Sequence, residues 1–217
     1  MAGPAAVDNK GRRERMQGHG IKKAVISTLA LVLLAACGSA APVPEDQFYR
    51  LSAVMTVAPQ SKTLFPGTLE IDRFVADGLT AGRPIVYSEA GKPFQVKEFH
   101  YHFWTQPPTV MLRDELVTYL RWAKVADIVV TPEMRVSPDY VLTGKIRRLE
   151  KVVGTPPKAV LEIELGLRKA SGGKLVFLDT YRVETTSDGS GVDAAVYSLN
   201  KALSTIYADF VADLSKL

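Results

Sequence analysis

Near its N-terminus the chain carries one unbroken run, Ala24 to Ala36, of about 13 apolar or small residues, the length of a signal-peptide core and too short to span a bilayer. Further on, the hydrophobic pattern changes period several times. Gln47 to Leu51 reads as a strand, as does Thr68 to Phe74, where Leu69 and Ile71 alternate with Glu70 and Asp72. Arg83 to Ser88 and Phe94 to Phe103, joined by Ala90-Gly91-Lys92-Pro93, read as a hairpin. Pro107-Pro108 opens a helix, because proline is tolerated in a first turn whose amides have no helical partners. Leu112, Leu116, Leu120 and Ala123 give that helix one apolar stripe, and Arg113, Asp114 and Arg121 fall mostly away from it.

Ile128 to Val130 is a short strand, and Tyr140 to Arg148 alternates from Tyr140, Leu142, Gly144 and Ile146 to Val141, Thr143, Lys145 and Arg147. Leu161, Ile163, Leu165 and Leu167 alternate with Glu162, Glu164, Gly166 and Arg168, the mark of a strand buried on one face. Ser171-Gly172-Gly173-Lys174 turns this strand into Leu175 to Thr185. After the break at Asp188-Gly189-Ser190-Gly191, Val192, Val196, Leu199, Leu203, Ile206, Phe210 and Leu214 recur at spacings of three and four. That spacing predicts an amphipathic helix docked on a sheet. The fold expected is α+β: an antiparallel or mixed β-sheet with two main helices packed on one face.

The residues at the end of the first apolar run change the picture. Lys22 and Lys23 precede it, and Leu34-Ala35-Ala36-Cys37 closes it with small residues before the sole cysteine of the chain. This stretch resembles a bacterial lipobox. The resemblance implies cleavage before Cys37 and lipidation of Cys37 on its thiol and new amino group. Residues 1–36 are then a signal peptide, 37–44 the lipidated cysteine and a short tether, and 45–217 the folded domain. An ordinary secretory leader with a chance cysteine is the plainer alternative. Met16 to Cys37 already holds a complete signal, so Met1 and Met16 both remain open as the start. Gly38, in place of the aspartate that retains enterobacterial lipoproteins at the inner membrane, favours the outer membrane.

Charge must be counted after removing this leader. The chain has 27 Lys and Arg against 23 Asp and Glu; six of the former and two of the latter precede Cys37, which leaves 21 of each. The basic character therefore belongs to the leader, and nucleic acid is not an expected partner. With one cysteine, the domain must be held by packing alone.

Candidate chemistry is sparse. Ser190 does not sit in a nucleophile elbow, and Gly172-Gly173-Lys174 lacks the spacing and the following helix of a phosphate-binding loop. Glu98-x-His100-x-His102 is the one row of potential metal ligands. On a regular strand these side chains share a face, about 6.5–7 Å apart, too far for adjacent members to complete a tetrahedral zinc site unaided. No cofactor, no metal and no enzymatic activity are expected, with Glu98, His100 and His102 as weak candidate ligands.

The landmarks taken together resemble a known family. Phe48-Tyr49-Arg50-Leu51, Leu69-Glu70-Ile71-Asp72-Arg73-Phe74, Gly82-Arg83-Pro84-Ile85-Val86-Tyr87, Tyr101-His102-Phe103-Trp104, Pro107-Pro108 and Met111-Leu112 follow a lipobox in that order. The order is similar to the ABC-type transport auxiliary lipoprotein family, which includes the paraquat-inducible lipoprotein PqiC. The resemblance implies a small sandwich like the N-terminal domain of TolB and no catalytic residues. It also implies an outer-membrane lipoprotein on the periplasmic face, serving an MCE-type ABC system that moves lipids between the two membranes. The expected partners are the periplasmic MCE protein and, because MCE proteins form closed rings, further copies of this chain in a homo-oligomer or ring. A regulatory or scaffolding envelope lipoprotein, such as a cell-wall synthase activator, is the competing class.

Overall fold

A computed structural model describes Gly3 and residues 43–217; the signal peptide and Cys37 lie outside the described residues. Residues 45–217 form one compact unit. Its strands are β1 (Gln47–Tyr49), β2 (Phe65–Ile71), β3 (Val75–Ala76), β4 (Pro84–Glu89), β5 (Lys92–Trp104), β6 (Ala126–Val130), β7 (Tyr140–Val153), β8 (Lys158–Lys169) and β9 (Leu175–Thr186). Its helices are α1 (Pro108–Trp122) and α2 (Val192–Leu214).

The organising element is β7. One edge pairs antiparallel with β8 along nearly its whole length, and β8 pairs in turn with β9. The other edge takes three parallel neighbours in succession: β2 beside Tyr140–Leu142, β3 beside Lys145–Ile146 and β4 beside Glu150–Val153. Beyond them β6 adds to β2, and β5 with the short β1 adds to β4. The fold is α+β as expected, with a mixed sheet.

Strand β7 runs five residues past its expected end at Arg148. Its register against β8 shifts between Ile146 and Arg148, so Arg147 and Arg148 both fall between the core residues Ile146 and Leu149, which are 1% and 2% exposed. A bulge reverses which parity faces inward, and a strict two-residue period therefore loses the strand there. Strand β2 starts three residues earlier than expected and stops at Ile71, leaving Phe74 to turn its ring against Gly144. A Cβ at position 144 would stand 2.5 Å from that ring, so only glycine allows the approach. Arg50 and Leu51 are not strand: residues 50–64 cross the helices as an irregular strap.

The helices match their stripes. On α1, Leu112, Leu116, Leu120 and the capping Ala123 are fully buried. On α2, Leu203, Ile206 and Phe210 are fully buried, with Leu199 and Leu214 nearly so. Phe210 meets the rings of Phe177 and Tyr181 on β9 at 5.8 and 6.1 Å. The two helices touch through Tyr119 and Tyr207, whose rings lie 5.6 Å apart, and the buried Tyr207 hydroxyl donates to the Leu112 carbonyl at 2.6 Å. Leu161, Ile163, Leu165 and Leu167 supply the facing sheet surface and are fully buried. The opposite face of β8 and β9 carries a charge ladder: Arg182 bridges Glu162 at 3.3 Å and Glu184 at 2.9 Å, and Lys158 reaches Glu184 at 3.0 Å.

Candidate functional site

The Glu98–His100–His102 row does not survive as a row. Strand β5 pairs Glu98 with Val86 but Phe103 with Pro84, so three extra β5 residues are taken up between the two pairs. Regular alternation over positions 98–103 is thereby lost. The side chains go separate ways. His102 shares a 2.9 Å hydrogen bond between its Nδ1 and the Tyr49 hydroxyl, while His100 is exposed beside Tyr101. Among the described residues no group of three or more His, Cys, Asp or Glu side chains is placed to hold a metal ion. Cys37 lies outside the described residues.

Polar and aromatic groups instead gather where the chain enters the domain. β1 lies parallel to the end of β5, pairing Tyr49 with Trp104. The Tyr49 hydroxyl donates to Gln47 Oε1 at 2.7 Å. Burial, and then the neighbouring Asp193 carboxylate at the start of α2, push its pKa up to about 12. A tyrosine held this way is a positioning group and not a base at neutral pH. Beyond His102, whose ring lies 5.4 Å from that of Phe99, Lys151 is 5% exposed; its amine donates to the Ser190 carbonyl and lies 5.6 Å from the Phe99 ring. Burial lowers its pKa. These contacts tie the β1 entry, the end of β7 and the loop before α2 together, and they present no nucleophile with an adjacent base.

The strap that follows β1 is held by side chains of both helices. Ala53 N–H donates to Glu115 Oε2 at 2.8 Å, Ser52 N–H to Asn200 Oδ1 at 3.0 Å and Val54 N–H to Ser204 Oγ at 2.9 Å. The Trp122 indole N–H donates to the Val57 carbonyl at 3.1 Å. Beside the strap an open cleft of about 640 Å³ runs along α2 between Val54, Tyr197, Ser204 and Ala208. A second cleft, about 440 Å³, lies between the tips of the β4–β5 and β7–β8 hairpins, near Pro93, Arg148 and Pro156. Both clefts are open, and the ionic side chains in the second are paired: Arg182 and Lys158 with Glu184, Arg148 with Glu150. Sequence reasoning missed the Tyr49–His102–Asp193 grouping, since 53 residues separate Tyr49 from His102 and no spacing rule joins them.

Comparison with known proteins identifies the fold and the family. Two crystal structures share the fold. One is a protein from Xanthomonas campestris assigned to the family model DUF330, with a TM-score of 0.65 and 21% identity over 76% of this chain and 92% of that one. The other is an uncharacterised protein with a TM-score of 0.63 and 17% identity over 79% of this chain and all of that one. No curated protein matches the chain. The model of the ABC-type transport auxiliary lipoprotein component matches residues 49–211, from the hydrogen-bonded Tyr49 to the buried Val211, and the chain belongs to that family.

Proposed function

We propose that the protein is a non-catalytic lipoprotein component of an MCE-type ABC transport system, held on the periplasmic face of the outer membrane by acylated Cys37, where it serves lipid movement between the two membranes. The observation that carries this reading is the family match over 49–211 behind a lipobox-like leader. Among the described residues no helix is long and apolar enough to cross a membrane, so anchoring falls to the lipid. Two or more acyl chains give stable attachment where one gives only marginal binding. A lipid cannot cross water unshielded, and a transporter that bridges two membranes needs a receiving end fixed at the far one. A ring-shaped MCE partner is matched best by several copies of this chain, because a single asymmetric domain caps only part of a symmetric opening.

Two measurements test the reading. Cys37→Ser leaves the domain folded and moves it from the membrane pellet to the soluble fraction; retention in the pellet after a carbonate wash overturns the anchor. Crosslinking in native membranes followed by mass spectrometry recovers the MCE protein encoded with the same transporter. Recovery of a cell-wall synthase in its place favours the scaffolding class.

A further inference from the structure

Among the described residues the sheet ends at β9, which pairs with β8 alone and leaves its other edge open. The backbone geometry says which groups that edge offers. Ser187 N–H donates to the Pro157 carbonyl at 2.9 Å, one step beyond the Lys158–Thr186 pair. Hydrogen-bonded and non-hydrogen-bonded pairs alternate in an antiparallel ladder. The odd-numbered residues of β9 therefore turn their backbone groups to β8, and Leu178, Thr180, Arg182, Glu184 and Thr186 turn theirs outward. All five are exposed.

Natural sheets blunt such edges with proline, lysine, bulges or a covering element. The other outer strands carry these devices. β5 shifts register twice against β4, holds Pro93 and two lysines, and is capped at its end by β1. β6 is five residues long and is followed by Pro132. From Leu178 to Thr186, β9 has no proline, no lysine and no register shift. Its polar face carries Arg182 and Glu184 on either side of Val183.

We infer that this edge pairs with the same edge of a second copy, antiparallel, about a two-fold axis through Val183. That register places Arg182 opposite Glu184 of the second copy, twice by symmetry, and Thr180 opposite Thr186. Every hydrogen-bonded pair then joins outward-pointing residues, forming about eight backbone bonds. A two-fold axis at Arg182 would set that arginine against itself, and one at Tyr181 would set it against Thr180. The charge pattern is self-complementary in the Val183 register, which is what an isologous interface requires. The inference deepens the homo-oligomer reading and rests on it; an isologous contact closes at two copies, so the assembly it gives is a two-fold dimer.

The test uses the full-length, membrane-anchored chain bearing Val183→Cys, with the unsubstituted chain as control because Cys37 is its sole native cysteine. Non-hydrogen-bonded pairs bring Cα atoms to about 4.5 Å, within disulfide reach. Mild oxidation should give a disulfide-linked dimer on non-reducing electrophoresis. Adding Arg182→Glu should cut the yield at least tenfold, and combining it with Glu184→Arg should restore it to within twofold, with thermal melts confirming that each variant folds. An oligomeric mass without any crosslink at position 183 overturns the edge assignment and leaves the homo-oligomer reading standing. A strict monomer without crosslinks overturns both, and a yield indifferent to Arg182→Glu overturns the register.

Discussion

Phe210→Ala is the sharpest test of the packing that holds the domain together. The side chain is fully buried in the middle of the α2 stripe and contacts Phe177 and Tyr181 of β9. Replacing a buried phenylalanine by alanine costs about 3–5 kcal/mol through lost transfer energy and the cavity left behind. Each aromatic pair adds roughly 0.5–1.5 kcal/mol beyond its buried area. The cavity closes poorly, because Phe210 lies between a helix packed along its length and a strand paired along its length, so the upper half of the range applies. A loss of about 4–5 kcal/mol is a large share of the ~5–15 kcal/mol that stabilises a domain of this size. It lowers the melting temperature by roughly 8–20 °C at about 2–4 °C per kcal/mol. Urea unfolding of the soluble domain, followed by far-UV circular dichroism, measures it, with Leu217→Ala as a control because Leu217 is 66% exposed. A midpoint shift worth less than about 1 kcal/mol would refute the docking of α2 on β9, since such a loss is typical of surface positions.

Gly144→Ala drives a methyl into the Phe74 ring, whose nearest atoms would stand 2.5–2.7 Å away; the expected loss is about 1–3 kcal/mol, read by the same melts, and Phe74→Leu in the same chain should recover part of it. At low pH the expectation concerns Glu133, whose pKa is held down to about 2 by hydrogen bonds from the Thr131 side chain and its own backbone, and by Arg113. Its folded pKa lies below the unfolded value, so its contribution is present above pH 4.5 and is lost as pH falls toward 2. The melting-temperature gap between the parent and Glu133→Gln should close over that window, and a gap that stays constant would contradict it.

The sequence made these elements legible in proportion to how regularly each buries one face. α2 and β8 repeat their apolar positions without interruption against a single surface: the spacing predicts α2 to the residue, and β8 over Leu161 to Arg168, inside the observed Lys158–Lys169. β7 was cut short because its bulge lets two arginines intervene before Leu149, and a period-two reading has no means of carrying parity across an inserted residue. β2 was misplaced by three residues for a related reason: Phe74 looks like the next core position of a strand, yet it reaches the core by turning onto a glycine 70 residues away. Such compensation between distant positions is invisible to any local window.

The Glu98–His100–His102 row fails through the same mechanism. A row of ligands on one face is a claim about uninterrupted pleating, and β5 takes up three extra residues against β4 just where the row would lie. Irregularity therefore removes one candidate site and leaves another surface exposed. The bulged, proline-bearing β5 is a poor template for a second strand, whereas β9 keeps an even ladder from Phe177 to Thr186. Edge regularity, more than the presence of polar or ligating side chains, separates the parts of this sheet that can take a partner from those that cannot.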